Sequence, residues 1–110
     1  MISLFANPGQ TIKLAVEVKN SDGYRVDGYV PTVDYVYLPD GSVSSGFPVS
    51  MTNIDTGLYS TSILIPSSNS SVGTFIASVS WTHPTTGFTQ YELFLINAAL
   101  PFGNTTINPG

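Results

Sequence analysis

From Thr11 to Lys19 the chain reads Thr-Ile-Lys-Leu-Ala-Val-Glu-Val-Lys, with an apolar side chain at every second position of most of the segment. A repeat of two belongs to an extended strand, whose successive side chains point to opposite faces, and it does not fit a helix. Phe75, Ala77, Val79 and Trp81 repeat the pattern between Phe75 and Thr82. Each segment is therefore predicted to be a half-buried strand of an antiparallel sheet. In the first, Ile12, Leu14, Val16 and Val18 face the core while Lys13, Glu17 and Lys19 face outward. Between Gly57 and Ile65 two rows compete, and the bulkier one, Tyr59, Thr61, Ile63 and Ile65, is assigned inward over Leu58, Ser60, Ser62 and Leu64. The last run, Phe88 to Ile96, becomes continuously apolar at Leu93-Phe94-Leu95-Ile96. That is expected of a strand covered on both faces, by its own core and by something else such as another subunit.

Turn signals punctuate the chain at short intervals: Asn7-Pro8-Gly9, Ser21-Asp22-Gly23, Pro39-Asp40-Gly41, Ser44-Ser45-Gly46, Asp55-Thr56-Gly57, Ser67 to Gly73 and His83 to Gly87. Between them lie about seven strand-like runs, near residues 2–6, 11–20, 32–38, 47–53, 58–65, 74–82 and 88–97. Their number and spacing predict an all-β antiparallel sandwich of the immunoglobulin type over residues 1–97. Beyond Asn97 the placement of Pro101, Gly103 and Pro109 forbids a long strand or helix, so residues 98–110 are expected to form an extended C-terminal arm.

Pro8-Gly9-Gln10-Thr11 leading into the first alternating strand, Val36-Tyr37-Leu38-Pro39-Asp40-Gly41-Ser42, Asp55-Thr56-Gly57-Leu58-Tyr59 and Gly73-Thr74-Phe75 occur in an order that resembles early-set immunoglobulin-like domains of the filamin, invasin-like and macroglobulin-like types. The resemblance spans residues 8 to about 96 and implies the same sandwich. Gly9, Gly41, Gly57 and Gly73 are expected to supply turn conformations, and Asp55 to hold a corner by accepting backbone amides. The chain departs from antibody-type domains in having no cysteine, and its only Trp lies in the sixth run instead of the third strand.

Composition narrows the function. With Cys 0, there is no thiol nucleophile, no thiolate metal site and no disulfide framework. Lys13, Lys19 and Arg25 are the only strong cations in a chain of formal net charge -4, too few for the basic stripe that binds a nucleic-acid backbone. No apolar run approaches the roughly 20 residues of a membrane-spanning helix. Met1 to Gly9 carries no basic segment ahead of its short apolar stretch, which predicts no signal-peptide export. Only 9% of residues are charged, against about a quarter in ordinary soluble domains, a surface suited to packing among other chains.

The candidate chemical residues mostly read as structural. His83 stands alone in Thr82-His83-Pro84-Thr85-Thr86-Gly87 with no Gly-x-Ser-x-Gly elbow elsewhere, and is expected as a hairpin residue; no catalytic residue is assigned. Asp22, Asp27, Asp34 and Asp40 are possible oxygen ligands for calcium, but they lack the dense spacing of a calcium loop, so turn formation accounts for them better and no metal or cofactor is assigned. Tyr24 and Tyr29 offer a candidate binding surface for sugar or protein, while Tyr35 and Tyr37 are expected in the core or as cross-strand pairs and Trp81 in the core. Asn69-Ser70-Ser71 and Asn104-Thr105-Thr106 match the N-glycosylation pattern, which chance explains in so Ser/Thr-rich a chain. In the arm, Leu100, Phe102 and Ile107 are candidate anchors for a neighbouring subunit.

These readings lead to the expectation of a non-catalytic building block that works by assembly with itself or a larger structural protein, such as a decoration or tail protein of a bacteriophage or viral particle. The alternative expectation is an adhesion module at a cell surface or outside the cell, contacting carbohydrate through Tyr24 and Tyr29.

Overall fold

The computed structural model describes residues 1–67 and 72–99. Among these the chain forms strands only: β1 (Ile2–Ala6), β2 (Thr11–Glu17), β3 (Thr32–Tyr37), β4 (Val49–Ser50), β5 (Thr52–Asp55), β6 (Leu58–Leu64), β7 (Gly73–Thr82) and β8 (Thr89–Ala98). They make a five-stranded sheet in the order β1-β8-β7-β3-β4 and a three-stranded sheet in the order β2-β6-β5. All neighbouring pairs are antiparallel except β1 and β8, which run parallel from Ile2 opposite Phe94 to Ala6 opposite Ala98.

The alternation of β2 is realised residue by residue: Ile12, Leu14 and Val16 are buried, and Thr11, Lys13, Ala15 and Glu17 are exposed. Tyr59 and Ile63 of β6, and Ile65 just after it, are buried as the bulkier row predicts. Leu64, of the competing row, is 65% exposed. From the other sheet come Phe75, Ala77 and Val79, joined by Val33, Val36, Phe94 and Ile96. Both sheets thus feed one buried apolar cluster, in the manner of a β-sandwich. Trp81 is half-buried and packs against that cluster, as its place in the β7 row predicts.

Two expectations need correction, and one alternative is decided. The run 47–53 is not one strand. It divides into β4 and β5, which belong to different sheets. Met51 is the pivot: its side chain is buried and its N–H donates to the Pro31 carbonyl at 2.9 Å, so the chain crosses the core between one sheet and the other. The first long strand also stops at Glu17, and residues beyond it turn into a narrow hairpin closed by a Lys19–Arg25 bridge. Of the two places expected for Tyr35 and Tyr37, the core is not the one they take: they stand across the β3–β7 ladder from Ser78 and Ile76. The β3–β7 register shifts between Val33 and Tyr35, so Val33 and Val36 both point inward although they are three residues apart. The two tyrosines therefore share the outward face of β3, with ring centroids 4.7 Å apart.

Candidate contact surfaces

Register fixes which residues stand on the outward face of the five-stranded sheet. Phe75, Ala77 and Val79 point inward, so Thr74, Ile76, Ser78 and Ser80 point out, and their partners across the ladders follow: Leu95, Leu93 and Tyr91 on β8, Tyr37 and Tyr35 on β3. On β1, Ser3 and Phe5 face the same way. No Asp, Glu, Lys or Arg of β1, β7 or β8 shares this face, since Glu92 lies opposite Val79 on the inner one. Phe5 is 80% exposed and Tyr91 69%. Leu93 and Leu95 are half-buried, so the doubly apolar stretch of β8 presents one row to the core and one to the outward face. Between Tyr35 and Leu93 in register, Ser78 is only 4% exposed.

The candidate tyrosine pair divides. Tyr24 is 71% exposed, whereas Tyr29 is half-buried and packs against the core cluster. Tyr24 sits on a turn organised by Asn20, whose Oδ1 accepts the N–H of Asp22 at 3.0 Å and of Tyr24 at 3.1 Å. Ser21 N–H donates to Thr85 Oγ1 at 3.0 Å, which ties this turn to the β7–β8 hairpin. Within that hairpin His83 Nδ1 accepts the N–H groups of Thr85 and Thr86 at 3.1 and 3.2 Å, so the lone histidine organises the turn it sits in.

Asp27, Asp40 and Asp55 likewise act on backbone. Asp40 Oδ1 accepts both the N–H and the hydroxyl of Ser42, at 2.9 and 2.6 Å, and these bonds hold its carboxyl below the usual carboxylate value. Asp55 accepts Thr56 N–H at 2.8 Å, the corner-holding role anticipated for it. Asp27 reaches farther: its Oδ1 accepts Gly57 N–H at 2.7 Å and the Asn53 side-chain amide at 3.1 Å, joining the β2–β3 connection to the β5–β6 turn. Among the described residues no group of three or more His, Cys, Asp or Glu is placed to hold a metal ion. No helix there is long and apolar enough to cross a membrane.

Two hollows open along the sides. One, of about 120 Å³, is lined by Val36, Leu38, Phe47, Ile63 and Phe75 among others. The second, of about 330 Å³, lies beside β2, between Ala15, Val16 and Glu17 on one wall and Ile2, Trp81 and Glu92 on the other. The sequence reading gave no role to the open side of β2 or to the Asp27 latch. No local sequence signal joins Asp27 to Gly57, 30 residues away, and none marks a strand as an edge. Leu100, Phe102 and Ile107, and both glycosylation-like asparagines, lie outside the described residues. No protein-family model matches the chain, and no curated protein matches it.

Proposed function

We propose that this chain is a non-catalytic structural domain that acts through protein-protein contacts within a larger assembly, such as a decoration or tail component of a bacteriophage or viral particle. The observation that carries the reading is the outward face of the five-stranded sheet, where exposed Phe5 and Tyr91 flank half-buried Leu93 and Leu95 without a charged residue from β1, β7 or β8. Exposed apolar area of this kind, in a chain with only 9% charged residues, favours burial against another protein. An immunoglobulin-like sandwich is the finer reading of the fold. It draws support from the strand orders β1-β8-β7-β3-β4 and β2-β6-β5, and from the change of sheet at Met51. Sedimentation of a lysate from the source, with the chain followed by antibody, tests the assembly role. Recovery in a fast-sedimenting particle is expected, and recovery solely as free chain would reject it.

Exposed Tyr24, on a turn held by Asn20 and Thr85, supports adhesion to carbohydrate as a second reading. It requires glycan binding by the isolated chain that Tyr24→Ala abolishes.

A further inference from the structure

We propose that β2 pairs edge to edge with β2 of a second copy of this chain, antiparallel about a two-fold axis at Ala15. This proposal names a partner surface for the assembly reading and rests on it. β2 ends its sheet, with β6 on one side and no strand on the other among the described residues. The hydrogen bonds at its two ends set its phase. Ile65 N–H donates to Gln10 at 2.9 Å and Val18 N–H to Gly57 at 2.7 Å, so the even-numbered residues bond toward β6. The N–H and C=O groups of Thr11, Lys13, Ala15 and Glu17 therefore point off the sheet. The returning arm of the following hairpin does not cover them, because Val26 N–H donates to Val18 and Asn20 N–H to Tyr24, all on even-numbered residues.

Natural edges are usually short, bulged, or broken by proline. Of the other three sheet ends two conform: β4 has 2 residues, and β5 has 4 with a register shift between Asn53 and Asp55, while β1, with 5 residues in unbroken register, is shorter than β2. β2 has 7 residues, no Pro or Gly, and unbroken register.

Side-chain charge selects both the partner and the register. With Ala15 opposite Ala15 of the second copy, Lys13 faces the second copy's Glu17 and Glu17 faces its Lys13, and all three pairs exchange backbone hydrogen bonds. Centring the pair on Lys13 or Glu17 would oppose like charges, and centring it on Leu14 would leave both charges without a partner. Lys13 has no ion-pair partner within its own chain among the described residues. Glu17 meets Arg25 Nε at 3.0 Å and Lys19 Nζ at 3.7 Å, and the looser Lys19 contact is the one the second copy's Lys13 would replace. Ala15, the smallest side chain of the outward row, stands where the two backbones meet.

The test is mass by light scattering of the full chain, with cross-linking of a cysteine variant. The expected mass is twice 11.7 kDa. Because the chain has no native cysteine, Ala15→Cys should oxidise to a covalent dimer, since hydrogen-bonded antiparallel pairs hold Cα atoms at about 5.5 Å, within disulfide range. Thr89→Cys, exposed on β8, should not. Lys13→Glu should weaken the dimer roughly tenfold or more, and Lys13→Glu with Glu17→Lys should restore it. Equal cross-linking at both cysteine positions, or a monomer at every concentration, overturns the proposal. In a monomer, slow amide exchange at Lys13, Ala15 and Glu17 would assign the edge to another segment of the same chain, and fast exchange would leave it open. Mass by scattering fails independently of the particle assay: a monomer found in large particles overturns self-pairing alone, and a dimer never found in them overturns the assembly reading.

Discussion

Asp27 Oδ1 accepts the backbone N–H of Gly57 at 2.7 Å across a sequence separation of 30 residues. The contact fastens the loop that leaves the three-stranded sheet onto the turn between β5 and β6 of that same sheet. Gly57 is positioned by more than this bond. Its φ is +63°, and a Cβ there would lie 2.6 Å from Arg25 Cβ, 2.7 Å from Val26 N and 2.8 Å from Val18 O.

Removing the carboxylate by Asp27→Ala leaves the Gly57 N–H and the Asn53 amide without this acceptor. The expected loss is about 1–3 kcal/mol, the cost of a partly buried donor left unpaired, read by urea denaturation. Asp27→Asn, which keeps an acceptor oxygen, should recover part of it.

Gly57→Ala pushes a methyl group into backbone atoms that cannot rotate away. A loss of about 1–3 kcal/mol is expected from overpacking, on top of the left-handed strain. Gly23→Ala is the control, since φ is +86° there but a Cβ meets nothing within 4 Å. Comparable losses at the two positions would show that the close approach around Gly57 does not matter.

The two rows of β6 should respond oppositely to truncation. Ile63 is buried, so Ile63→Ala should cost about 2–5 kcal/mol, while Leu64→Ala should stay within about 0.5 kcal/mol. Thermal melts of the two variants measure this directly, and equal effects would reverse the assigned phase.

Asp40 supplies a pH dependence of known sign. Its carboxyl is held below the ordinary value of 3.8, first by the Ser42 hydroxyl and then by the Ser42 N–H. A depressed folded value stabilises the fold above pH 3.8, and the contribution disappears as pH falls through the lower folded value. NMR titration of the Asp40 carboxyl should therefore show a midpoint below 3.8 that Ser42→Ala moves upward.

Strand periodicity made β2, β6 and β7 legible from sequence because each spends one full row of side chains on the core. Legibility failed where the backbone leaves the period of two. The irregularity near Val33 shifts the phase of β3, and so puts Tyr35 across from Ser78 on the outward face, a choice between core and cross-strand pair that counting residues leaves open. Met51 looks like one more apolar residue in an extended run, and only the ladders on either side show the change of sheet, Ser50 pairing with Thr32 of β3 and Thr52 with Ser60 of β6. The contact surfaces were harder still. Tyr24 and Tyr29 are alike on paper, yet tertiary packing takes one into contact with the core and leaves the other exposed. The edge position of β2 is invisible in sequence, because it depends on which strands the other described residues place beside it.

The parallel ladder between β1 and β8 bears on the order in which the molecule acquires its shape. Ile2 to Ala6 has its hydrogen-bonding partner only after Phe94 to Ala98 has been made and has zipped onto β7. The strand earliest in chain order thus depends on the latest, and refolding should belong to the slower, millisecond-to-second regime of domains dominated by distant pairings.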